Sequence, residues 1–498
     1  MNLHREILRL SVPSILANIT VPLVGMVDIA VAGHLGASGS LGAAALIGGI
    51  SIGTMLFDML YWNFGFLRAG TGGLTAQAYG KYHAGVREAA GEIAATLRRA
   101  LGIAFGAGLL LIALQWAVVQ VAFLLVDCSG EVQTLATQYF YIRIWAAPAT
   151  LSLFAFKGWF IGMQDTVRPM VCDLVVNTVN VLLSVGLAFG YAGLPELGFA
   201  GVAWGTFCAQ WTGFLYALLA LRSHYGALFQ GAKPAQNATA GRPGSRDGVN
   251  NGLKRRLRET LVSLRAQKRA ETQPAGDRGW RAFFALNRDL FLRSVCMIAV
   301  YIGFTMISAR YGDLTLAVGA ILMKLLMFFS YFTDGFAYAG EALTGRFIGE
   351  GSPDGVRSTI RQTFFWSLVV TGLFFLVYGA GGVPLLRLMT DDPSVVEAGR
   401  SFIPWLLLMP LIGCPAFTWD GIFTGATASR DLRNSTAWCV VGFFAVWFAG
   451  ERAAGALAGT GGPGPEAALH ILMAAYFTHL AVRAAYLTLR WRKAIPYA

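Results

Sequence analysis

The sequence predicts an all-α polytopic membrane protein built from two similar halves. Hydrophobic residues make up 55% of the 498-residue chain and charged residues only 13%, too few charges for a soluble protein of this length. A scan for apolar runs of about 20 residues, the length that crosses the hydrocarbon core of a bilayer, gives twelve candidates. Six precede a long polar segment and six follow it. We therefore expect twelve transmembrane helices in two pseudo-symmetric six-helix lobes.

The apolar runs set the expected domain boundaries. Those of the first half lie at 8–33, 41–68, 94–125, 133–161, 167–191 and 197–222. Those of the second half lie at 287–310, 314–340, 358–381, 395–424, 434–454 and 468–490. This division predicts an N-terminal lobe over 1–222, a cytoplasmic linker over 223–286 and a C-terminal lobe over 287–498.

Two sequence motifs recur at the same place in each half. The first motif is Leu74–Gly80 followed by Gly85–Arg87, and it returns as Leu343–Gly349 followed by Gly355–Arg357. The second is Gly158–Gly162, which returns as Gly421–Gly425. Two homologous membrane halves suit alternating access, because two lobes can rock about a site held between them. The repeats therefore favour a transporter.

The distribution of basic residues indicates topology. With the N-terminus in the cytoplasm, most of the 39 Lys and Arg residues fall in segments on the inner side. The outer loops carry Arg310, Arg387 and Arg452 together with several acids. By the positive-inside rule this asymmetry places both termini in the cytoplasm of a cell whose inner membrane holds the protein. The net charge of +12 is thus explained without nucleic acid as a partner.

The linker contains an insertion, 231–275, of different composition. Gly231–Gly252 is rich in Gly, Pro, Asn, Ala and Ser and reads as a flexible tether. Leu253–Glu271 instead has leucines at three- and four-residue spacing among basic residues. Such a helix suits the anionic inner leaflet, and a solvated helical tether between the lobes fits equally well.

The sequence gives no reason to expect a metal or a cofactor. The six cysteines show no metal-ligand spacing, and five of them fall in apolar runs, where Cys is an ordinary small residue. A phosphate-binding loop of the Walker A type does not occur, which argues against ATP hydrolysis. We expect a monomer surrounded by membrane lipids.

Several longer motifs resemble one family. In the first half they are Pro22–Asp28, Gly33–Leu35, Phe64–Arg68 and Thr75–Ala78, and in the second half Ser330–Leu343, Asp420–Thr427 and Arg433–Ser435. In this order they resemble the multidrug and toxic compound extrusion (MATE) family, in its DinF-like branch, over both halves. The resemblance implies two bundles around a V-shaped cavity and efflux of organic compounds driven by proton or sodium entry.

Carboxylates inside the apolar runs are the candidate coupling groups. A charge at bilayer depth is costly, so such a group usually faces a polar interior and has a function. Asp28 is the first choice because Pro22 precedes it on the same helix and should soften that helix. In the resembled family the acid at this position is tied to cation coupling, with bending of the first helix. The alternative for Asp28 is a carboxylate held permanently by neighbouring Asn and Tyr groups.

The fifth run carries a polar stripe of Asp173, Asn177, Asn180 and Ser184. Their spacings of four, three and four residues put all of them on one helix face, where they are expected to meet Asp28. Family members commonly carry an Asp where this chain has Ser184, so a second fixed charge is missing and protons are favoured over sodium. Asp173 either restores that acid or caps the helix near its cytoplasmic end.

The remaining candidates are assigned to the substrate cavity. Lys157 and Asp420 precede the repeated glycines and either line the cleft or anchor their helices near the inner interface. Lys324 is expected to meet an anionic part of a substrate. Aromatic and Met side chains suit a promiscuous site, although they also form interfacial belts. The full set is Asn18, Pro22, Met55, Asp58, Tyr139, Lys157, Lys324, Asp334 and Asp420.

These observations together predict an antiporter that exports small organic compounds in exchange for protons. A lipid-linked precursor flippase of the same wider superfamily is the alternative within transport, and a cationic cavity with more than twelve helices would favour it. A polytopic membrane transferase would cluster its acids with His or Arg in one loop at the membrane face. Here the acids are scattered over separate helices, which argues against an enzyme.

Overall fold

The computed structural model describes residues 3–38, 42–125, 128–230, 275–390, 392–458 and 462–497, and every regular element in these ranges is a helix. The α-helices are numbered here along the described residues. Those of the first half are α1 (Leu3–Ser38), α2 (Ala43–Trp62), α3 (Gly65–His83), α4 (Ala89–Ala113), α5 (Gln115–Leu125), α6 (Gly130–Arg143), α7 (Ala147–Gly162), α8 (Val167–Phe189) and α9 (Phe199–Gln230). Short 3-10 turns, Ile144–Ala146 and Tyr191–Gly193, follow α6 and α8.

The second half contains longer, less interrupted helices. They are α10 (Ala275–Arg310), α11 (Asp313–Glu350), α12 (Pro353–Met389), α13 (Pro393–Arg400), α14 (Ile403–Gly425), α15 (Ser429–Ala458) and α16 (Pro465–Ala494). Local sequence sets the boundary between α11 and α12. Gly351 adopts a left-handed φ of 69° that ends α11, and the hydroxyl of Ser352 accepts a hydrogen bond from the amide of Gly355 at the start of α12.

Eleven of the described helices or helix pairs are long and apolar enough to cross a membrane. They match eleven of the twelve runs expected from the sequence, and the remaining run, 197–222, corresponds to α9. At 32 residues α9 is long enough to span. Its central part carries Gln210, Trp211 and Thr212, which lowers its hydropathy below that of the others.

The helices beside the linker reach into the range assigned to it. The first lobe was expected to end at 222, but α9 continues to Gln230, and α10 begins at Ala275 rather than at 287. Residues 231–274, with nearly all of the predicted insertion and its basic amphipathic pattern, lie outside the described residues.

Each half packs mainly on itself. In the first half α8 lies along α9, α7 lies between α3 and α4, and α2 packs on α6. In the second half α15 lies along α16, α11 packs on α14 and α12, and α10 packs on α15. Separate apolar cores fill the two bundles, with Phe57 and Phe140 in one and Phe329 and Leu472 in the other.

The repeated glycines produce the same close helix contact in each lobe. A Cβ atom on Gly158 of α7 would collide with the carbonyl oxygen of Arg68, and one on Gly421 of α14 would collide with that of Ala337. One turn later Gly162 lies against the carbonyl of Gly72. Small residues at such crossings let membrane helices approach closely. The repeated sequence motif therefore corresponds to the same close helix–helix contact in each lobe.

The two lobes meet along α3 and α11 on the side of the membrane that holds the described chain ends, called here the termini side. Gly80 of α3 lies against the carbonyl of Arg346, and Gly349 of α11 lies against that of Gln77. The start of α1 also packs along α11. By contrast, α2 packs mainly on α1 and α6 of its own lobe, and its last residue, Trp62, reaches the second lobe with its ring centre 5.4 Å from that of Tyr301. The lobes are thus closed together on the termini side and diverge toward the other side.

A Gly421→Ala substitution should destabilise the protein by about 1–3 kcal/mol, because the added methyl group has no space beside Ala337. Gly372→Ala is the matched control, since a Cβ atom at Gly372 meets nothing within 4 Å. Thermal melting of both variants in detergent, followed by size-exclusion fluorescence, checks the difference. Equal melting temperatures for the two variants would show that the close contact at Gly421 is not required.

Candidate functional site

Asp28 lies inside the first lobe, where α1 packs against α8. Its side chain is only 6% exposed and lies beside the hydroxyl of Ser184, which donates to the carbonyl of Val202 over 3.4 Å. The second carboxyl oxygen, Oδ1, has no hydrogen-bond partner. No Lys or Arg nitrogen of the described residues lies within 4 Å of this carboxylate. Asp28 is therefore a buried carboxylate without an ion-pair partner among the described residues.

Arg143, at the end of α6, supplies the positive charge of this region. Its Nη1 atom donates to the hydroxyl of Tyr139 over 3.0 Å, and its guanidinium carbon lies 4.7 Å from the centre of the Phe57 ring. It attracts both Asp28 and Asp58 electrostatically. Tyr139, expected to line the cavity, is fully buried and supports Arg143 from inside the lobe.

The residues of the polar stripe on α8 bind several different partners. Asn180 donates to the hydroxyl of Thr206 over 2.9 Å, and Asn177 donates to that of Thr20 over 2.8 Å. Asp173 forms an ion pair with Lys157 of α7. Of the four residues, only Ser184 contacts Asp28. The stripe thus fastens α8 to α1, α7 and α9 instead of forming one shared site.

The second lobe holds a compact charge network. Asp420 of α14 accepts hydrogen bonds from Arg293 of α10 and from Arg483 of α16, the latter over 3.0 Å from Nε to Oδ1. Arg483 is almost completely buried. Asp334 of α11 is attracted by both arginines. Two guanidinium groups therefore share the Asp420 carboxylate through charge-assisted hydrogen bonds.

Arg68 and Glu341 join the lobes at the closed end of the cleft. The Nη1 atom of Arg68 donates to Oε2 of the fully buried Glu341 over 3.1 Å. The same guanidinium stacks on Tyr338 at 4.4 Å from the ring centre, and it attracts Asp334. This pair crosses from α3 to α11, so it has to reorganise if the lobes separate there.

The cleft between the diverging halves of the lobes carries the rest of the predicted cavity residues. Met55, Asp58 and Lys324 are exposed, and Asn18 donates to the carbonyl of Tyr331 over 3.3 Å. The side chain of Pro22 lies outside the described part of the chain. A cavity of about 100 Å³ opens in the second lobe, lined by Tyr301, Phe304, Thr305, Met323, Lys324 and Met327 among others.

The MatE family model matches residues 13–185 and 290–459, one stretch in each lobe. The chain belongs to the MatE family. It is 31% identical to the DNA damage-inducible protein F of Escherichia coli, over 87% of this chain and 83% of that protein. It is 23% identical to a probable multidrug resistance protein NorM of Thermotoga maritima, over 90% of this chain and 84% of that protein.

Solved structures agree with this assignment. A crystal structure of a MATE protein in the bent conformation superposes with a TM-score of 0.74 at 14% identity, over 99% of this chain and 95% of that chain. The resemblance stated from the motifs is confirmed, and so is the fold of twelve membrane helices in two lobes. This MatE protein is a transporter and not an enzyme.

Two related contacts latch the lobes of this MatE transporter on the termini side. Arg346 of α11 donates from Nη1 to Glu6 of α1 over 2.9 Å and to Gln164 over 3.1 Å. Gln77 of α3 donates to Thr427 over 3.2 Å. Gln164 and Thr427 both adopt a left-handed φ, 60° and 54°, just after α7 and α14. The latch therefore follows the internal repeat of the chain.

Sequence reasoning missed Arg143, Arg293, Arg346 and Arg483 as parts of the site. Each is a cation within or at the end of a helix that spans or nearly spans the membrane, and this was the available signal. A cation at that depth needs a partner. Which acid it meets depends on helices far apart in sequence, and spacing along the chain does not give that information.

Asp420→Asn should lower the stability of the transporter by about 3–5 kcal/mol, because it leaves the buried Arg483 and Arg293 without their shared carboxylate. Asp28→Asn is the control, since it removes a carboxylate that no Lys or Arg nitrogen of the described residues approaches within 4 Å. Melting temperatures in detergent compare the two variants. A larger loss for Asp28→Asn would refute the structural role given to Asp420.

Proposed function

We propose that this transporter exports small organic compounds across the cell inner membrane in exchange for protons, and that Asp28 is the coupling carboxylate. The names of its relatives support export of drug-like compounds, since the Thermotoga maritima protein is described as a probable multidrug resistance protein. The positive-inside rule places the termini side in the cytoplasm. In this orientation the structure corresponds to a state open to the outside.

The observation that carries the choice of Asp28 is the difference between the buried acids. Asp173, Glu341 and Asp420 each have a Lys or Arg nitrogen within ion-pairing distance. Asp28 is buried without one and lies beside the neutral hydroxyl of Ser184. Asp334 also lacks one at that distance, but Arg68, Arg293 and Arg483 all attract it, whereas Arg143 is the one arginine that attracts Asp28 among the described residues. Removing a carboxylate from water favours its neutral form, so a group of this kind can load and release a proton. A carboxylate held by a guanidinium group cannot do so as readily.

The surroundings of Asp28 also favour a proton over sodium. A sodium ion would need several oxygen ligands around the carboxylate. The amide nitrogens of Asn177 and Asn180 donate to Thr20 and Thr206, which leaves Oδ1 of Asn180 as the one buried amide oxygen of this pair without a hydrogen-bond partner, and Ser184 supplies one hydroxyl. Arg143 adds a positive charge that would repel a second cation. A proton needs only the free oxygen of the carboxylate and access to each side in turn.

Alternating access follows from the way in which the lobes meet. Opening to the cytoplasm requires the hydrogen bonds from Arg346 to Glu6 and Gln164 to break. It also requires the ion pair between Arg68 and Glu341 to break or rearrange. Asp28 lies on α1, the helix that also carries Glu6 and packs along α11. A change in the charge of Asp28 therefore acts on a helix that belongs to one lobe and touches the other. This gives a physical route from proton binding to the position of the lobes.

The flippase alternative has weaker support. It would be favoured by a cationic cavity, whereas the charged groups at membrane depth are largely matched, with Arg293 and Arg483 facing Asp420, Lys157 facing Asp173 and Arg68 facing Glu341. The described helices account for the twelve-helix fold.

Asp28→Asn should insert and fold normally and lose gradient-driven efflux, because the amide cannot release a proton. The measurement is dye efflux in proteoliposomes with a pH gradient and a sodium gradient imposed separately. The wild-type protein should respond to the pH gradient without sodium and lose transport when a protonophore is added. Asp392→Asn, in an exposed cap at the start of α13, is the matched control and should transport normally.

Two results would contradict this proposal. Wild-type rates for Asp28→Asn would remove Asp28 from the coupling step. Strict dependence on sodium at constant pH would exclude protons as the coupling ion.

A further inference from the structure

The cavity of the second lobe is lined by apolar residues, by the hydroxyl-bearing residues Tyr301, Thr305 and Ser308, and by one charged residue, Lys324. Tyr301, Phe304, Met323 and Met327 form much of its wall, and Lys324 is exposed at its surface. Among the residues that the structure describes, Lys324 forms no hydrogen bond or ion pair. A cation with a long apolar stem and an unoccupied amine thus faces a surface suited to flat or aliphatic groups.

The lack of a direct partner distinguishes Lys324 from the other cations at membrane depth in the described ranges. Arg68, Lys157, Arg293 and Arg483 each contact a carboxylate. Arg143 is hydrogen-bonded to Tyr139 and attracts two nearby acids. A cation in a membrane helix generally pairs with an acid or meets a ligand. In this state no carboxylate of the described residues forms an ion pair with Lys324.

We propose that the substrates of this transporter are amphipathic organic anions, whose acidic group binds the amine of Lys324 while the apolar body occupies the adjoining cavity. The inference rests on the proposed export of organic compounds and specifies their chemical class. A carboxylate, sulfonate or phosphate ester each provides oxygens that accept from an ammonium group. Met323 and Met327 can adapt to apolar bodies of different shape.

Asp58 of the first lobe gives Lys324 a second counter-ion. Lys324 attracts Asp58 electrostatically across the cleft, although the two groups are not within ion-pairing distance. When the outer side closes in the empty transporter, Asp58 approaches Lys324 and neutralises it. Substrate and Asp58 therefore compete for the same amine. This competition explains how an unloaded transporter can return without leaving a lysine unpaired between closed lobes.

Two dyes with the same xanthene ring system and opposite net charge test the inference. Sulforhodamine B is a net anion and rhodamine 6G a net cation. Binding is measured by fluorescence polarisation on the purified full-length protein in detergent, and uptake is measured in proteoliposomes under a pH gradient. The variants are Lys324→Gln, Lys324→Arg and Asp58→Asn. Arg387→Gln, which removes an exposed charge at the outer end of α12, is the control.

The wild-type protein should bind the anionic dye more tightly than the cationic one. Lys324→Gln should weaken binding of the anion by about tenfold or more, because a charge-assisted hydrogen bond is lost. It should leave binding of the cation unchanged or improved. Lys324→Arg should retain the preference for the anion, Asp58→Asn should bind the anion more tightly, and Arg387→Gln should resemble the wild type.

Equal effects of Lys324→Gln on both dyes, or a wild-type preference for the cation, would overturn the inference. Transport of the cationic dye alone would do the same while supporting the proposed export function. Anion-selective binding that depends on Lys324, without any gradient-driven uptake, would support the charge preference and count against the export function. Binding and uptake thus separate the two proposals.

Discussion

The close approach of α3 and α11 is the contact on which the rest of the structure depends. These helices cross on the termini side with Gly80 and Gly349 against each other's backbones. They also carry the ion pairs Arg68–Glu341 and His83–Glu350, and Gln77 and Arg346, which reach the other lobe. Because any larger side chain would force the backbones apart, the glycines set the distance at which all of these polar contacts form. The state of the cleft is therefore decided at this crossing.

The lobes differ in the partners of their buried carboxylates, and the proposed role of Asp28 rests on this difference. In the second lobe Asp420 is held between two arginines, and Asp334 is attracted by three. The first lobe leaves Asp28 with one neutral contact and a cation, Arg143, that acts on it from a distance. In the proposal, the lobe whose acids face several arginines moves as a unit, whereas protonation of Asp28 changes the preferred position of the other lobe. The same twofold architecture thus supports a fixed half and a responsive half.

The sequence was sufficient for the fold. Apolar runs located the membrane helices, and the repeated glycines marked the helix crossings that the structure shows at Gly158 and Gly421. It was less informative about pairing. Asn177 and Asn180 lie on the face predicted for them, yet they bind Thr20 and Thr206, because neighbouring helices offer closer partners. The arginines around Asp28 and Asp420 escaped prediction because contacts between distant helices leave no regular spacing in the chain.

The central claim is that the lobes move as units about the α3–α11 crossing and that Arg346 fastens the closed side. The most direct test measures spin-label distances in protein whose native cysteines are replaced, with one pair at Val86 and Asp354 on the termini side and another at Glu131 and Glu466 on the opposite side. Arg346→Ala should lengthen the first distance and shorten the second, because rocking closes one side as it opens the other. If the first distance lengthens while the second stays fixed, the contacts on the termini side loosen locally without rotation of the lobes. The lobes would then not be moving as units about this crossing.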